Sequence, residues 1–310
     1  MRVVALLAAV AVVALVGCGD DGAEPGASHE ATLVLDFTPN AVHAGLYAAL
    51  ARGWFEGEGV ELEIREPGES TDAPKLLAAG RTEFAVLDIN DWGIARAEGL
   101  DLVPVAALVQ VPLAAVIARD RVQVRRPRDL QGLTVGVTGL PSDDAVLDRV
   151  VAADGGDPAA VDRTNIGFDS VSALAAERVD AATAFWNAEG VALRVLGVPT
   201  REFRVGDEAA RPFPELLVVA SRQLVDGEAE LAEALRVGIE RGYALTSDDP
   251  EAALEDLLAA VPGLERDVQE EQMAALSAAD AFAAGVEPGA VEPERIANWR
   301  RFARAAGFGR

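Results

Sequence analysis

Aromatic, amide and acidic side chains recur in this sequence at points where an apolar strand passes into a helix. An aromatic ring can stack on a flat ligand, while amides and carboxylates can hydrogen-bond the polar edge of a heteroaromatic ring. Ligands of open α/β sheets bind at the carboxyl ends of strands, which is where these residues fall. The pattern predicts a small-molecule site. Its predicted ligand contacts are Phe37, Asn40, His43, Asp88, Asn90, Ser142, Trp186, Asn187 and Glu189.

The first of these turns spans residues 36–47 and combines Phe37 with a rigid proline and the amide of Asn40. Thr38 or Asn40 could instead cap the following helix, so a capped turn without ligand contact is the alternative. His43 is either a ligand contact or a helix-face histidine whose hydrogen bonds stay within the protein.

Two further turns carry weaker signals. Ser142 follows a glycine and a proline at a helix start, where its hydroxyl and free backbone N–H groups could hold an oxygen or a phosphate. Helix capping is the alternative, and the acidic residues 143 and 144 disfavour a phosphate dianion. Asp88 and Asn90 follow another strand, where they are either cleft residues or an ordinary turn with an N-cap.

The run Trp186-Asn187-Ala188-Glu189 places a ring, an amide and a carboxylate directly after a strand. Trp186 could stack on a flat ligand, and core packing of its indole is the alternative. A carboxylate only accepts hydrogen bonds, so Glu189 suits an exocyclic amine or a protonated ring nitrogen. As an alternative, Glu189 is simply the first-turn acid of its helix.

Catalytic and metal motifs are absent from the sequence. Cys18 is the only cysteine, and His29 falls in the predicted tether, so His43 alone is available to a site. One histidine and one cysteine cannot assemble a zinc centre, and the sequence lacks a nucleophile elbow, a phosphate-binding loop and a dinucleotide fingerprint. We therefore predict no metal, no cofactor and no enzyme activity. An enzyme that uses paired carboxylates such as Asp88 and Asp91 remains the alternative.

Short apolar strands alternate with helical stretches from residue 31 onward, which predicts an α/β fold with a mainly parallel sheet. A basic, proline-containing turn at 125–127 precedes a second β/α series, so a lobe boundary is expected within 119–128. After an apolar strand at 216–221 only helices follow. The predicted organisation is lobe 1 at 31–120, lobe 2 at 121–215, and a return strand with a helical tail on lobe 1 at 216–310.

The N-terminus has the pattern of an export signal. Arg2 precedes an apolar run that is too short for a membrane span, and Leu15-Val16-Gly17-Cys18 resembles a bacterial lipobox. This pattern predicts a lipoprotein signal peptide at 1–18 with lipidation of Cys18, followed by a flexible tether at 19–30. A plain cleaved signal peptide is the alternative. The expected location is outside the cytoplasm, on the outer face of the cell membrane.

A formal charge of −24 over 310 residues excludes some partners. An acidic surface of this size repels nucleic acid and anionic lipid headgroups, so the only membrane contact we expect is the lipid anchor. We expect a monomer.

Residues 35–47, Leu-Asp-Phe-Thr-Pro-Asn-Ala-Val-His-Ala-Gly-Leu-Tyr, with Gly53-Trp54-Phe55, resemble the opening of the thiamine-pyrimidine-precursor binding family. That family includes importer proteins for hydroxymethylpyrimidine-type compounds and a eukaryotic pyrimidine synthase. Residues 135–145 and 182–190 resemble its second-lobe loop and its late strand-to-helix turn. Phe37 departs from the family pattern, in which Trp or Tyr is commoner.

The resemblance implies a hinged, two-lobed periplasmic-binding-protein-like fold (type II). It also implies a heteroaromatic ligand, expected to be a thiamine pyrimidine precursor, and an ABC permease as partner. The cysteine-rich iron motif of the eukaryotic synthase is missing here, which favours capture and delivery over synthesis. A riboflavin-like ring, a sulfonate or nitrate as ligand, and a lipid-anchored pyrimidine-precursor enzyme, remain alternatives.

Overall fold

The structure, a computed structural model, describes residues 28–67, 73–120, 124–208 and 211–307. The predicted signal peptide, the lipidation site Cys18 and most of the predicted tether lie outside the described residues.

The central strands are apolar runs that are buried on both faces, as in a covered sheet, whereas edge strands such as Asp162–Asn165 and Thr200–Arg204 are polar. The strands are β1 His29–Val34, β2 Val60–Arg65, β3 Phe84–Asp88, β4 Leu102–Val109, β5 Ala114–Arg119, β6 Thr134–Val137, β7 Asp162–Asn165, β8 Ala181–Phe185, β9 Thr200–Arg204 and β10 Leu216–Ser221.

The helices connect the strands and form the C-terminal tail, and several begin with proline at their first position, where its missing N–H costs nothing. They are α1 Ala44–Ala51, α2 Trp54–Gly57, α3 Ala73–Ala78, α4 Ile89–Ala97, α5 Pro141–Ala153, α6 Ser170–Ala175, α7 Glu189–Val195, α8 Val205–Glu208, α9 Arg222–Gly227, α10 Ala229–Asp248, α11 Pro250–Ala260, α12 Arg266–Ala278 and α13 Pro293–Ala306. Short 3₁₀ turns span Ala41–His43, Pro127–Leu130 and Pro158–Ala160.

Two sheets of similar design form two lobes. The first has the strand order β2-β1-β3-β10-β4 and the second β7-β6-β8-β5-β9. In the first sheet β1 pairs in parallel with β2 and β3, and β10 runs antiparallel between β3 and β4. In the second, β6 pairs in parallel with β7 and β8, and β5 runs antiparallel between β8 and β9. The predicted two-lobed α/β fold is confirmed.

The chain crosses from the first sheet to the second earlier than the sequence predicts. The apolar strand β5 belongs to the second sheet, so the crossing lies at residues 110–113 and not within 119–128. An apolar strand carries no local signal for which of two sheets it joins, because both offer the same buried environment. Sequence patterning also misses β9, whose charged residues are typical of a half-exposed edge strand.

Close helix packing fixes the position of the first turn, residues 36–47. A Cβ atom on Gly242 of α10 would lie 2.0 Å from the carbonyl oxygen of Gly45 in α1, so this approach requires glycine. The ring of Tyr243 covers Gly45, and its hydroxyl donates a hydrogen bond to the Val42 carbonyl at 2.7 Å. The start of α1 is therefore fixed against the longest helix of the tail.

The helical tail packs on the first lobe and also reaches the second. α10 and α11 pack on α1, and the Trp299 ring of α13 lies against Gly93 of α4. α12 contacts α7, and α13 contacts α5, which are both helices of the second lobe. Within the described part of the chain, no helix is long and apolar enough to cross a membrane.

Candidate ligand-binding cleft

The carboxyl ends of the parallel strands face each other across the boundary between the lobes. Asp88 ends β3, and Asp91 lies in the first turn of α4. Ser142 and Asp143 lie in the first turn of α5, which follows β6 in the second lobe. The Ser142 hydroxyl donates a hydrogen bond to the Asp91 carboxylate. Turns that are far apart in the sequence therefore meet in one cleft.

Carboxylates dominate this cleft. Burial is the largest cause that raises the pKa of Asp91, to about 7. The negative charges of Asp88, Asp143 and Asp36 act in the same direction on that pKa. The hydrogen bond from Ser142 opposes them. A ligand group that is positively charged or donates hydrogen bonds would relieve this repulsion, whereas an anion would add to it.

Glu215, which sequence patterning does not identify, ties the cleft to the crossing between the lobes. Its buried side chain accepts hydrogen bonds from the backbone N–H groups of Leu113 and Ala114, the second at 3.1 Å. Its carboxyl group lies close enough to Asp88 for each of the two groups to shift the pKa of the other. Burial raises the pKa of both groups. The end of β3 is therefore linked through Glu215 to the beginning of β5.

In the first turn, Asn40 and His43 are engaged with the protein. The Asn40 side chain accepts a hydrogen bond from the Val42 N–H at 3.1 Å and donates one to the Thr38 carbonyl at 3.0 Å. The fully buried His43 ring accepts from the Asn40 N–H through Nδ1, so Nε2 carries the proton and donates to Asp36 at 2.9 Å. The geometry favours capping for Asn40 and positioning of Asp36 for His43 over direct ligand contacts.

Asp88 and Asn90 form a turn with an N-cap beside the cleft. The Asp88 carboxylate accepts a hydrogen bond from the Asn90 N–H at 2.5 Å. The buried Asn90 side chain accepts one from Trp299 Nε1 at 2.9 Å. The oxygen of the Asn90 amide is therefore committed to the core, which leaves its nitrogen as the part that could face a ligand.

Asn187 has the clearest unmet hydrogen-bonding capacity among the predicted contacts. Its side chain is 1% exposed, and neither Oδ1 nor Nδ2 has a hydrogen-bond partner. It lies just beyond the carboxyl end of β8, between Trp186 and the start of α7. Because buried amides are nearly always hydrogen-bonded, an amide left unpaired at this edge indicates a place where a ligand or water binds.

Trp186 is packed at the crossing between the lobes. Its indole is 2% exposed, and its Nε1 donates to the Pro112 carbonyl at 3.0 Å. The Arg204 guanidinium lies 4.1 Å from the ring centroid and is paired with Glu202 at 2.7 Å. With a cation on one face and its N–H engaged, the ring anchors the crossing. The geometry favours this role over a stacking platform.

Glu189 hydrogen-bonds the turn that precedes its own helix. Its carboxylate accepts from the Phe185 N–H at 3.0 Å and from its own backbone N–H. Burial raises the pKa of Glu189, these two backbone hydrogen bonds lower it, and the charge of Asp143 raises it. Glu189 therefore belongs to the acidic cleft, but its carboxylate already accepts hydrogen bonds from the turn.

One other possible site, a groove on the second lobe, carries less chemistry. A surface groove of about 550 Å³ between α7 and β9 lies at the far edge of the second sheet, and its Arg194 is paired with Glu202. Among residues 28–67, 73–120, 124–208 and 211–307, no group of three or more His, Cys, Asp or Glu side chains is arranged to hold a metal ion.

The profile of the family described as NMT1/THI5 like matches residues 40–253, which include the first turn from Asn40 onward, α5 and the Trp186 turn. The chain belongs to this family. The resemblance to thiamine-pyrimidine proteins is thereby confirmed.

Relatives within and around the NMT1/THI5-like family include binding proteins and synthases. The formylaminopyrimidine-binding protein of Halalkalibacterium halodurans is 31% identical over 259 residues, 83% of this chain and 78% of that protein. The 4-amino-5-hydroxymethyl-2-methylpyrimidine phosphate synthase of Legionella pneumophila is 25% identical over 236 residues, 75% of this chain and 74% of that protein. The periplasmic aliphatic sulphonate-binding protein SsuA of Escherichia coli shares the fold, with a TM-score of 0.69, 17% identity, and coverage of 90% of this chain and 91% of that one.

Phe37, at which this chain departs from the family pattern, meets an aromatic partner from the second lobe. The rings of Phe37 and Phe168 are 6.2 Å apart between centroids and tilted by 51°. Phe168 lies in the loop after β7 and is 59% exposed, an unusual position for a phenylalanine. The two rings therefore touch across the mouth of the cleft. Sequence analysis misses Phe168 because nothing local distinguishes it from other loop residues.

Proposed function

We propose that this protein captures a small amino-substituted heteroaromatic compound, a thiamine pyrimidine precursor, and delivers it unchanged to an ABC permease. The observation that carries the proposal is the cleft itself, to which both lobes contribute hydrogen-bond acceptors, together with the buried, unpaired amide of Asn187 after β8. Amino and ring N–H groups supply the donors that such a cleft lacks. The formylaminopyrimidine-binding relative supports this class of ligand.

Anionic ligands fit this cleft poorly, although the fold is shared with a sulphonate-binding protein. None of the predicted contact residues is a lysine or an arginine, and Arg204, the cation packed on Trp186, is paired with Glu202. A sulfonate or nitrate would meet the charges of Asp91 and Asp143 with no lysine or arginine among the predicted contacts to offset them. We therefore expect the cleft to bind these anions more weakly than an aminopyrimidine.

A thermal-shift screen tests this proposal. The panel contains thiamine, 4-amino-5-hydroxymethyl-2-methylpyrimidine, formylaminopyrimidine, a flavin, an alkanesulfonate and nitrate. We expect the pyrimidines to raise the melting temperature, because a ligand that binds only the folded state stabilises it by mass action. Mass spectrometry of the ligand after incubation is expected to return it unchanged. A converted product would support the enzyme alternative suggested by the synthase relative.

Membrane anchoring through Cys18 is part of the same proposal, with export outside the cytoplasm and a monomeric form. Cys18→Ser is expected to abolish acylation and to move the protein from the membrane fraction to the soluble fraction, since no other hydrophobic anchor is proposed. Fractionation of cells that express each form, with an antibody against the protein, measures this. An unchanged membrane fraction would contradict the lipobox interpretation.

The aromatic pair at the mouth of the cleft is expected to slow ligand escape. Phe168→Ala removes the ring that touches Phe37, so the dissociation rate of a bound aminopyrimidine should rise about 2- to 10-fold. Stopped-flow tryptophan fluorescence measures the rate. Leu196→Ala is the matched control, because Leu196 is also exposed on the second lobe but lies at the far end of α7. Equal rates for the two variants would contradict a role for Phe168.

A further inference from the structure

Helix α12 buries two glutamines in a stripe that otherwise is apolar. Its buried residues are Gln269, Gln272, Met273 and Leu276, which recur at the spacing of one helix face. Both glutamines are 5% exposed. Methionine or leucine would fill these positions without the cost of burying an amide, so the glutamines call for a reason beyond packing.

This helix contacts one element of each lobe. α12 contacts the 3₁₀ turn Ala41–His43 in the first lobe and α7 in the second. Met273 and Leu276 belong to the same hydrophobic cluster as Val42 and Leu193, which come from those two elements. The apolar half of the stripe therefore packs between the lobes, and the glutamines continue the same face.

The amide oxygens on this face are left without hydrogen-bond partners. The Oε1 atoms of Gln269 and Gln272 are buried and unpaired, and so are both polar atoms of Asn187, two residues before α7. Among the described residues, few buried side chains share this condition. Asn187, Gln269 and Gln272 are among them, and each lies on or next to an element that borders the cleft, which is the pattern left by a polar group that is not part of the protein.

We propose that Gln269 and Gln272 bind the ligand from the C-terminal tail and, with Asn187, read its polar edge. The inference rests on the proposed function and extends it, because it brings a third segment of the chain to the site. Amides both donate and accept, so they can read a ring nitrogen or hydroxyl that the cleft carboxylates cannot hold. The ligand class is a small ring that carries both amino and hydroxyl or ring-nitrogen groups.

The test compares stability with affinity in the double variant Gln269→Met/Gln272→Met. Methionine has a similar shape and no polar atoms, so the ligand-free variant should melt at the same temperature or higher. Affinity for 4-amino-5-hydroxymethyl-2-methylpyrimidine, measured by calorimetric titration, should fall about 10-fold or more. A structural role for the amides predicts the reverse, with a lower melting temperature and unchanged affinity, and that result would overturn the inference.

Two reference variants and the wild type separate the remaining outcomes. Glu271→Met changes an exposed neighbour on α12 and should leave stability and affinity unchanged. Gln110→Met removes a buried amide whose Nε2 donates to the Ala290 carbonyl at 2.9 Å, so it should lower the melting temperature. If the wild type binds the pyrimidine and the double variant binds it equally well, this inference fails while the proposed function stands. If the wild type binds none of the pyrimidines, both fail.

Discussion

Asp91→Asn is expected to weaken the binding of an aminopyrimidine about 10- to 100-fold, because it removes a charge-assisted acceptor from a largely buried position. The same change should raise the melting temperature of the ligand-free protein above neutral pH. Asp91 is surrounded by the charges of Asp88, Asp143 and Asp36, and asparagine keeps the shape of the side chain without the repulsion. Opposite changes in affinity and stability are the signature of a carboxylate that serves binding.

Asp144→Asn is the matched control for this prediction. Asp144 lies in the same first turn of α5 as Ser142, but its side chain is 52% exposed and is paired with Arg163 at 3.1 Å. The substitution removes the same formal charge as Asp91→Asn, but from a solvated position, so affinity and melting temperature should change little. If both variants weaken binding equally, the effect is one of overall charge, and Asp91 has no special place in the site.

Stability of the ligand-free protein is expected to fall between pH 5 and pH 8. Burial and neighbouring charges raise the pKa of Asp91 to about 7, so the folded state retains a proton that the unfolded chain has released. This contribution is fully present below the ordinary aspartate pKa near 4 and is lost as the pH rises through about 7. The raised pKa values of Asp88, Glu189 and Glu215 act in the same direction.

Chemical unfolding of the wild type and Asp91→Asn at both pH values measures this effect. At pH 5 Asp91 of the folded wild type is still protonated, whereas the unfolded chain has already released that proton, so the variant should already be the more stable protein. From pH 5 to pH 8 its advantage should grow by about 2 to 3 kcal/mol, because the folded state loses its proton at a pKa of about 7 and each unit of pKa shift corresponds to about 1.4 kcal/mol. A constant difference between the two proteins from pH 5 to pH 8 would show that Asp91 does not titrate in this range.

Most strands can be predicted from short stretches of sequence, because the apolar patterns and turn residues that mark them lie within those stretches. The boundaries of β8 and β10 match apolar runs in the sequence, and those of β2 match an alternation of apolar and charged residues. The sheet that β5 joins depends on partners far along the chain, and β9 is a charged edge strand with no apolar run. Both features follow from tertiary pairing, which a short sequence window does not contain.

The candidate site is likewise predictable only in part from the sequence. Residue types after strands single out turns that the structure brings to the boundary between the lobes, but they do not indicate which side chains remain available there. Asn40 and His43 are engaged within their turn, and Trp186 anchors the crossing. Glu215 lies 102 residues from Leu113, whose N–H it binds, so no spacing rule could identify it. Gln269 and Gln272 carry a weak signal, because polar residues interrupt an amphipathic stripe.

Calorimetric titration of the purified wild-type protein with 4-amino-5-hydroxymethyl-2-methylpyrimidine and, separately, with an alkanesulfonate tests the central claim most directly. The cleft brings acceptors from both lobes together and offers no unpaired cation among its contact residues. Saturable one-to-one binding of the pyrimidine, with no binding heat from the sulfonate, is the predicted result. Binding of the sulfonate without binding of the pyrimidine would contradict the account, because the acidic cleft could then not be the site of recognition.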